Sequence, residues 1–243
     1  KDITANMCEF VYPDEVELKT YKPNTKGNKR QIKKAVEAIK NARKPLVYIG
    51  GGAVLANAGE LVKEFVKITQ IPAVETLMAK GVLPKTEELN LGMVGMHGSY
   101  SANMAMAETD LIISLGARFD DRVTGKLEEF AKDAKVIHID IDPTSISKIV
   151  RADYPIVGDL KNVLETMLPL VKSEINPENY EYFRGIVKRY DELHPLTFHD
   201  SDKVLKPQWV IQKTGEILGD KAIISTDVGQ HQMWAAQYYP FSF

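Results

Sequence analysis

Leu46-Val47-Tyr48-Ile49-Gly50-Gly51-Gly52 decides the fold: four apolar residues run unbroken into three glycines. A strand covered on both faces shows no polar alternation. Glycines after it let backbone approach a bound phosphate closely, and a helix beginning there offers unpaired N–H groups. Upstream, Asn28 stands as a helix cap with Gln31 three residues on, a capping-box pattern. Ile32, Val36 and Ile39 then recur at helical spacing as far as about Ala42, and Pro45 closes that helix. Downstream, a helix capped by Asn57, with Glu60 three residues on, is expected to bury Leu61, Phe65 and Ile68. Apolar runs predict strands at 71–74, 110–115, 135–139 and 155–157, and helices at 101–109 and 127–130. Asp142-Pro143 reads as a helix start, and Asp159 as the cap of a helix burying Val163, Met167 and Leu170. Such alternation predicts an α/β fold with a parallel sheet flanked by helices on both faces.

The punctuation of the chain divides it further. Residues 1–27, interrupted by Pro13, Pro23 and Gly27, read as a connecting arm, and 28–171 as the main α/β unit. Residues 172–205 are dense in charge, with a helix opened by Asn176-Pro177 and broken at His194-Pro195; they read as an interdomain linker. Residues 206–243 look like the truncated start of a second α/β domain. There a helix at 207–218 and a strand at 222–225 lead to the turn Asp227-Val228-Gly229 and another helix. The first residue is Lys1 and an aromatic run leads to Phe243, so an internal piece of a longer chain is expected.

Composition narrows the class. The 243 residues are 44% hydrophobic and 26% charged, with a net charge of -2, as in a soluble globular protein and without a nucleic-acid footprint. The basic start (Lys19, Lys22, Lys26, Lys29, Arg30, Lys33, Lys34) reads as a solvated helix face, because later acids balance it. Cys8 is the single cysteine, which excludes an internal disulfide and fits a reducing cytosol, and its place in the arm makes it a bystander. No apolar run reaches the roughly 20 residues of a membrane span, and no secretion signal is visible. The histidines at 97, 138, 194, 199 and 231 show no metal-ligand spacing, and His138, inside a strand, reads as a satisfied core residue. No Gly-x-Ser-x-Gly elbow occurs. Met104, Met106, Trp234, Tyr238 and Tyr239 read as packing or interface residues.

The glycine turn alone leaves two readings open, a structural turn and a nucleotide site. Gly50-x-Gly52 has Leu55 where a dinucleotide fingerprint has its third glycine, and the cap at Asn57 makes the turn wide. Glu75, ending the second strand, would be the ribose-binding acid of a nicotinamide-dependent dehydrogenase. Other strand ends favour a large nucleotide cofactor: Met96-His97-Gly98-Ser99, Gly116-Ala117-Arg118, Asp140, and Gly158-Asp159. In a parallel sheet these ends converge on one crevice. Arginine pairs there with a diphosphate and aspartate accepts from ribose hydroxyls.

Several stretches resemble a known family. Leu91-Gly92-Met93-Val94-Gly95-Met96-His97-Gly98 and Gly116-Ala117-Arg118-Phe119-Asp120-Asp121-Arg122-Val123-Thr124-Gly125 are similar to the catalytic subunits of acetohydroxyacid (acetolactate) synthases. So are Ile139-Asp140-Ile141-Asp142-Pro143 and Asp227-Val228-Gly229-Gln230-His231-Gln232-Met233-Trp234. The stretch through Arg118–Arg122 is what separates this family from related thiamine enzymes such as pyruvate oxidase.

The resemblance implies thiamine diphosphate, Mg2+ and FAD as cofactors, and makes 28–171 an FAD-binding middle domain. It implies FAD contacts from Gly50, Gly51, Thr76, Leu77, Met96, His97, Gly116, Ala117, Arg118, Asp120, Arg122, Val123, Asp140, Ile141, Gly158 and Asp159. It puts Val228, Gly229, Gln230 and His231 at the edge of the thiamine diphosphate site, and Arg122 on the carboxylate of a 2-keto acid substrate. The implied activity decarboxylates pyruvate and joins the two-carbon unit to pyruvate or 2-ketobutyrate, in branched-chain amino-acid biosynthesis, with FAD largely structural. Implied partners are further copies in a dimer or higher oligomer and a regulatory small subunit. The family's catalytic glutamate and its Gly-Asp-Gly…Asn metal motif have no match here, so this stretch alone is expected to be inactive.

Overall fold

Asn28 starts the first long helix as expected, its side chain accepting the amides of Arg30 at 2.9 Å and Gln31 at 3.2 Å. The computed structural model describes residues 2–16 and 22–241. Lys19 of the basic start and Phe243 of the closing aromatic run therefore lie outside the described residues. A single turn, α1 (Asp2–Ala5), precedes the helix capped by Asn28, α2 (Lys29–Asn41). The strands are β1 (Pro45–Ile49), β2 (Ala73–Glu75), β3 (Asn90–Met93), β4 (Leu111–Leu115), β5 (Lys135–Asp140) and β6 (Tyr154–Val157). Between them run α3 (Gly51–Leu55), α4 (Gly59–Thr69), α5 (Tyr100–Glu108) and the one-turn α6 (Asp121–Thr124). After β6 come α7 (Leu160–Glu174), α8 (Glu181–Leu193), α9 (Pro207–Leu218) and α10 (Gln230–Tyr238).

Every strand pair is parallel, in the order β3-β2-β1-β4-β5-β6. The chain steps outward from β1 to β3, returns beside β1 as β4, and steps outward the other way. Two apolar layers cover the sheet, as the unbroken strands require. On one face Ile32, Ile39, Phe65, Val163 and Met167 pack on Val47, Ile113 and Ile137, bringing in α2, α4 and α7. On the other, Ala105, Phe183 and Val187 pack on Leu46, Tyr48 and Ile112, bringing in α5 and α8.

The parallel α/β architecture is as expected, while several local expectations are not met. Pro45 opens β1 instead of closing α2, which ends at the Ala42 cap. The turn at Gly50 is not wide: α3 begins at Gly51 with Gly50 as its cap. Asn57 is no cap but a left-handed link (φ 49°) between α3 and α4, and α4 buries Val62, Phe65 and Val66, with Leu61 and Ile68 half-buried. Likewise Leu164, Leu168 and Val171 are buried in α7 beside Val163 and Met167, while Leu170 is half-buried. No helix follows Asp142-Pro143. The Asp142 carboxylate accepts the Thr144 amide at 2.9 Å and its hydroxyl at 2.8 Å, and Ser147 turns left-handed (φ 57°), so the segment folds into turns. Residues 127–129 form a 3-10 turn. Residues 222–225 are not a strand; no strand lies beside them among the described residues, and Ile223 is 99% exposed.

The charged stretch after α7 contains the expected amphipathic helix, and that helix is packed on the sheet layers. Tyr180, Phe183 and Val187 are buried at helical spacing, and the Tyr180 hydroxyl donates to the Ile39 carbonyl at 2.8 Å. Farther on, α10 rests on α9, and Tyr238 and Tyr239 are buried, matching the packing role expected of them.

Candidate cofactor site

The reversal between β1 and β4 opens a cleft of about 960 Å³ at the carboxyl ends of the strands. That is where open parallel sheets bind ligands, since neighbouring crossovers there leave on opposite faces. Its floor is backbone. A Cβ on Gly50 would lie 2.2 Å from the Gly116 carbonyl oxygen, and one on Gly116 (φ +67°) would lie 2.7 Å from the Gly52 Cα. The Gly52 amide donates to that same Gly116 oxygen at 3.0 Å, locking the two turns together. Thr76, at the end of β2, lines the cleft, and its buried hydroxyl oxygen has no hydrogen-bond partner. An orphaned donor in the same lining as a glycine floor fits a ligand that supplies polar atoms close to the backbone.

The turn after β4 aims the charged side chains. Phe119 takes a left-handed conformation (φ 55°) and is 1% exposed, its ring held by Tyr48 at 5.4 Å and His138 at 5.2 Å. Anchoring Phe119 inward leaves its neighbours Arg118 and Asp120 exposed on the cleft. Asp120 caps α6, accepting the Arg122 amide at 3.1 Å. Its carboxyl is held below the usual carboxylate range by hydrogen bonding to Asp121, then by the Arg122 amide and the guanidinium groups of Arg122 and Arg118. Arg122 itself is exposed and donates to the Asp121 carboxylate at 2.9 Å. Its carbonyl accepts the Met96 amide at 2.9 Å, so the 95–98 turn and α6 form one rim.

The remaining expected residues divide in two. Gly50, Gly51, Leu77, Met96, His97, Gly116, Ala117, Val123, Asp140, Ile141, Asp159 and Val228 join Thr76, Arg118, Asp120 and Arg122 around the cleft. Gly158, Gly229, Gln230 and His231 do not line it. Gly158 has a packing reason to be glycine: a Cβ there would lie 2.8 Å from the Gly27 amide nitrogen. Asp159 caps α7 through the Asn162 amide at 3.1 Å while facing the cleft, so one carboxylate serves both readings.

Two expectations are overturned. Glu75 is no ribose ligand. It is fully buried and accepts the Leu83 amide at 3.0 Å, Lys80 Nζ at 3.2 Å and Asn90 Nδ2 at 3.4 Å, which uses both oxygens. His138 is buried but not fully satisfied: neither ring nitrogen has a partner in good hydrogen-bonding geometry, although the Ala117 carbonyl and Asp140 lie beside it. Burial pushes its pKa down, with Asp140 and the Ala117 carbonyl pulling the other way. Leaving such a group unpaired costs about 1–3 kcal/mol.

Sequence reasoning missed part of the wall. Gln232, Met233 and Ala236 of α10 close one side, and the Gln237 amide donates to the His97 carbonyl at 2.9 Å. Their spacing marks one helix face, but not what that face would meet. Leu55, in place of a third glycine, is 90% exposed, and Met78 is 73% exposed; both line the cleft. Apolar walls with a few convergent polar groups suit a large ligand with an aromatic part and a charged part. Among the described residues no group of His, Cys, Asp and Glu has the arrangement of a metal site, and no helix is long and apolar enough to cross a membrane.

Comparison with known proteins places the chain in a family. Residues 32–167 match the family model described as the thiamine pyrophosphate enzyme central domain. The chain is 47% identical over 248 residues to an acetolactate synthase of Mycobacterium leprae, covering 99% of this chain and 39% of that protein. It is 44% identical over 246 residues to the acetolactate synthase isozyme 3 large subunit of Escherichia coli, covering 99% and 43%. With the acetolactate synthase large subunit of Haemophilus influenzae it shares 44% over 234 residues, covering 96% and 41%. The chain thus spans about two-fifths of the length of these relatives.

Proposed function

From the premise that the chain belongs to the thiamine pyrophosphate enzymes, whose central domain it carries, we propose that it is part of an acetolactate synthase and that its cleft binds FAD. The observation that carries the cofactor reading is the interlocked glycine floor, with the unpaired Thr76 hydroxyl in the same cleft lining. The names of the relatives support the enzyme.

In this reading Gly50, Gly51 and Gly116 let the flavin nucleotide rest on backbone, and Arg118 neutralises its diphosphate. Asp140 and Asp159 accept from its hydroxyls. Leu77, Met96, Ile141 and Val123 give it apolar contact, and Thr76 and His97 supply polar contacts beside them. The flavin is a structural group, because joining two 2-keto acids involves no net redox change. Residues 28–171 form the FAD-binding domain with α8 packed on it, and 206–243 open the thiamine diphosphate domain. There Val228, Gly229, Gln230 and His231 begin the diphosphate site at the start of α10. Thiamine diphosphate with Mg2+, when bound in the whole subunit, supplies the electron sink for decarboxylating pyruvate. The two-carbon unit then passes to a second pyruvate or to 2-ketobutyrate, the entry to branched-chain amino-acid biosynthesis. Arg122, exposed on the rim, holds the second substrate's carboxylate in a bidentate pair after releasing Asp121. The whole subunit works in the cytoplasm as a dimer or higher oligomer. The name "large subunit" carried by relatives supports a smaller regulatory partner.

The purified 243-residue chain is expected to show flavin absorption in the visible and to release FAD, identified by mass, on denaturation. It is expected to form no acetolactate from pyruvate, thiamine diphosphate and Mg2+. A colourless chain that binds NADH instead would replace this reading with a dehydrogenase domain, and acetolactate formation would refute the expected inactivity. In the whole subunit, Arg122→Ala is expected to lower kcat/KM for condensation at least ten-fold, about 1.4 kcal/mol. The melting temperature should stay unchanged, because the side chain's ion pair with Asp121 and its attraction to Asp120 are both at the exposed surface. Unchanged kinetics with 2-ketobutyrate would remove Arg122 from substrate binding.

A further inference from the structure

His138 lies one layer beneath the cleft, on the same face of β5 as Asp140, because side chains two residues apart along a strand point the same way. Asp140 lines the cleft and His138 does not. The imidazole is 1% exposed, and the Ala117 carbonyl acts on it alongside Asp140, but neither makes a well-formed hydrogen bond with it. Ser114, its partner on β4, donates its hydroxyl to the Ala117 carbonyl at 3.2 Å. Pro155, its partner on β6, has no N–H. Its Nε2 lies 3.9 Å from Asp140 Oδ2, just beyond bonding reach, while Asp140 Oδ1 accepts the Asp142 amide at 2.9 Å. On its other flank the ring stands at 87° to Phe119, the residue that sets Arg118 and Asp120 on the cleft.

Buried polar groups in folded proteins nearly always have a partner. An imidazole without a well-formed bond, 3.9 Å from a cleft carboxylate, is placed to form that bond if the carboxylate moves when the cleft is filled. We propose that His138 is a positioning residue, donating from Nε2 to Asp140 and so orienting that carboxylate toward the hydroxyls of the bound nucleotide. A ligand hydroxyl donating to Asp140 occupies one side of the carboxylate, and a small rotation brings Oδ2 within reach of the ring. Through Phe119 and Asp140 together, His138 ties the strand ends of β4 and β5 into one ligand-facing unit. Burial keeps the ring neutral, so it acts as a hydrogen-bond donor and not as a counter-charge. The inference rests on the reading of the cleft as an FAD site.

The test measures FAD dissociation constants by flavin fluorescence in the whole subunit, with thermal melts to verify folding. Wild type is compared with His138→Leu, His138→Gln, Asp140→Asn and the double variant His138→Leu/Asp140→Asn. His138→Leu is expected to weaken FAD binding about ten-fold, the scale of a lost hydrogen bond to a charged group. The Gln variant, which keeps a donor, should recover most of that loss. The double variant should bind no worse than Asp140→Asn alone, since His138 acts through Asp140. If leucine compromises folding, His138→Asn, whose shorter amide stops short of Asp140, takes its place in the same cycle. Wild-type affinity in His138→Leu, or losses that add in the double variant, would overturn the inference while leaving the FAD reading intact. A wild-type subunit that binds no flavin would overturn both.

Discussion

Gly50 and Gly116 meet where a side chain on either would overlap the other's turn, and the clash is with backbone, which cannot rotate away. Gly50→Ala is therefore expected to prise β1 and β4 apart at their carboxyl ends and to cost about 1–3 kcal/mol. Urea denaturation of the chain reads this directly. Gly59→Ala is the matching control: no atom lies within 4 Å of its Cβ position, and it begins α4. There the substitution should be neutral or stabilising by up to about 1 kcal/mol. Equal denaturation midpoints for the two variants would mean that the contact carries no strain. The apolar run and glycines of 46–52 announced a close approach of something to backbone. What they could not announce is that part of this something is the chain itself, at Gly116, because sequence spacing carries no information about which strand returns alongside.

Among the elements, α8 shows how charge hides a packed helix. Its surface is dense in Lys, Arg, Asp and Glu, and that density reads as a linker, yet Tyr180, Phe183 and Val187 fall on one stripe and are buried. The amphipathic helix was legible from its spacing, whereas the surface it packs on was not. Phe183→Ala should cost about 3–5 kcal/mol, as for a fully enclosed aromatic side chain. A chain that melts at the wild-type temperature after this change would show that α8 is not integral to the sheet layers. β3 escaped reading for a different reason. It is four residues long, contains Gly92, and borders only β2, so it has neither the length nor the apolar density of the central strands. Asp142-Pro143 misled because the same carboxylate that can cap a helix can close a local turn, and Ser147 then breaks any helical path.

At the scale of the whole molecule, alternation of apolar strands and helices established a parallel sheet covered on both faces. The strand order that creates the cleft, with its reversal between β1 and β4, came only from the structure. Glycines, Arg118, Asp140 and Asp159 were legible as strand-end residues because a parallel sheet sends all such ends to one side. The α10 wall was not, since helical periodicity identifies a face without its counterpart. That wall also gives the cleft a history. Its floor is encoded between residues 48 and 160, whereas Val228, Gln232, Met233 and Ala236 follow roughly seventy residues later. At the pace of translation, roughly 5–20 residues per second, the floor leaves the ribosome about 4–14 seconds before its last wall. For that interval the nascent chain presents the floor of the cleft open on one side, and α10 encloses it only afterwards.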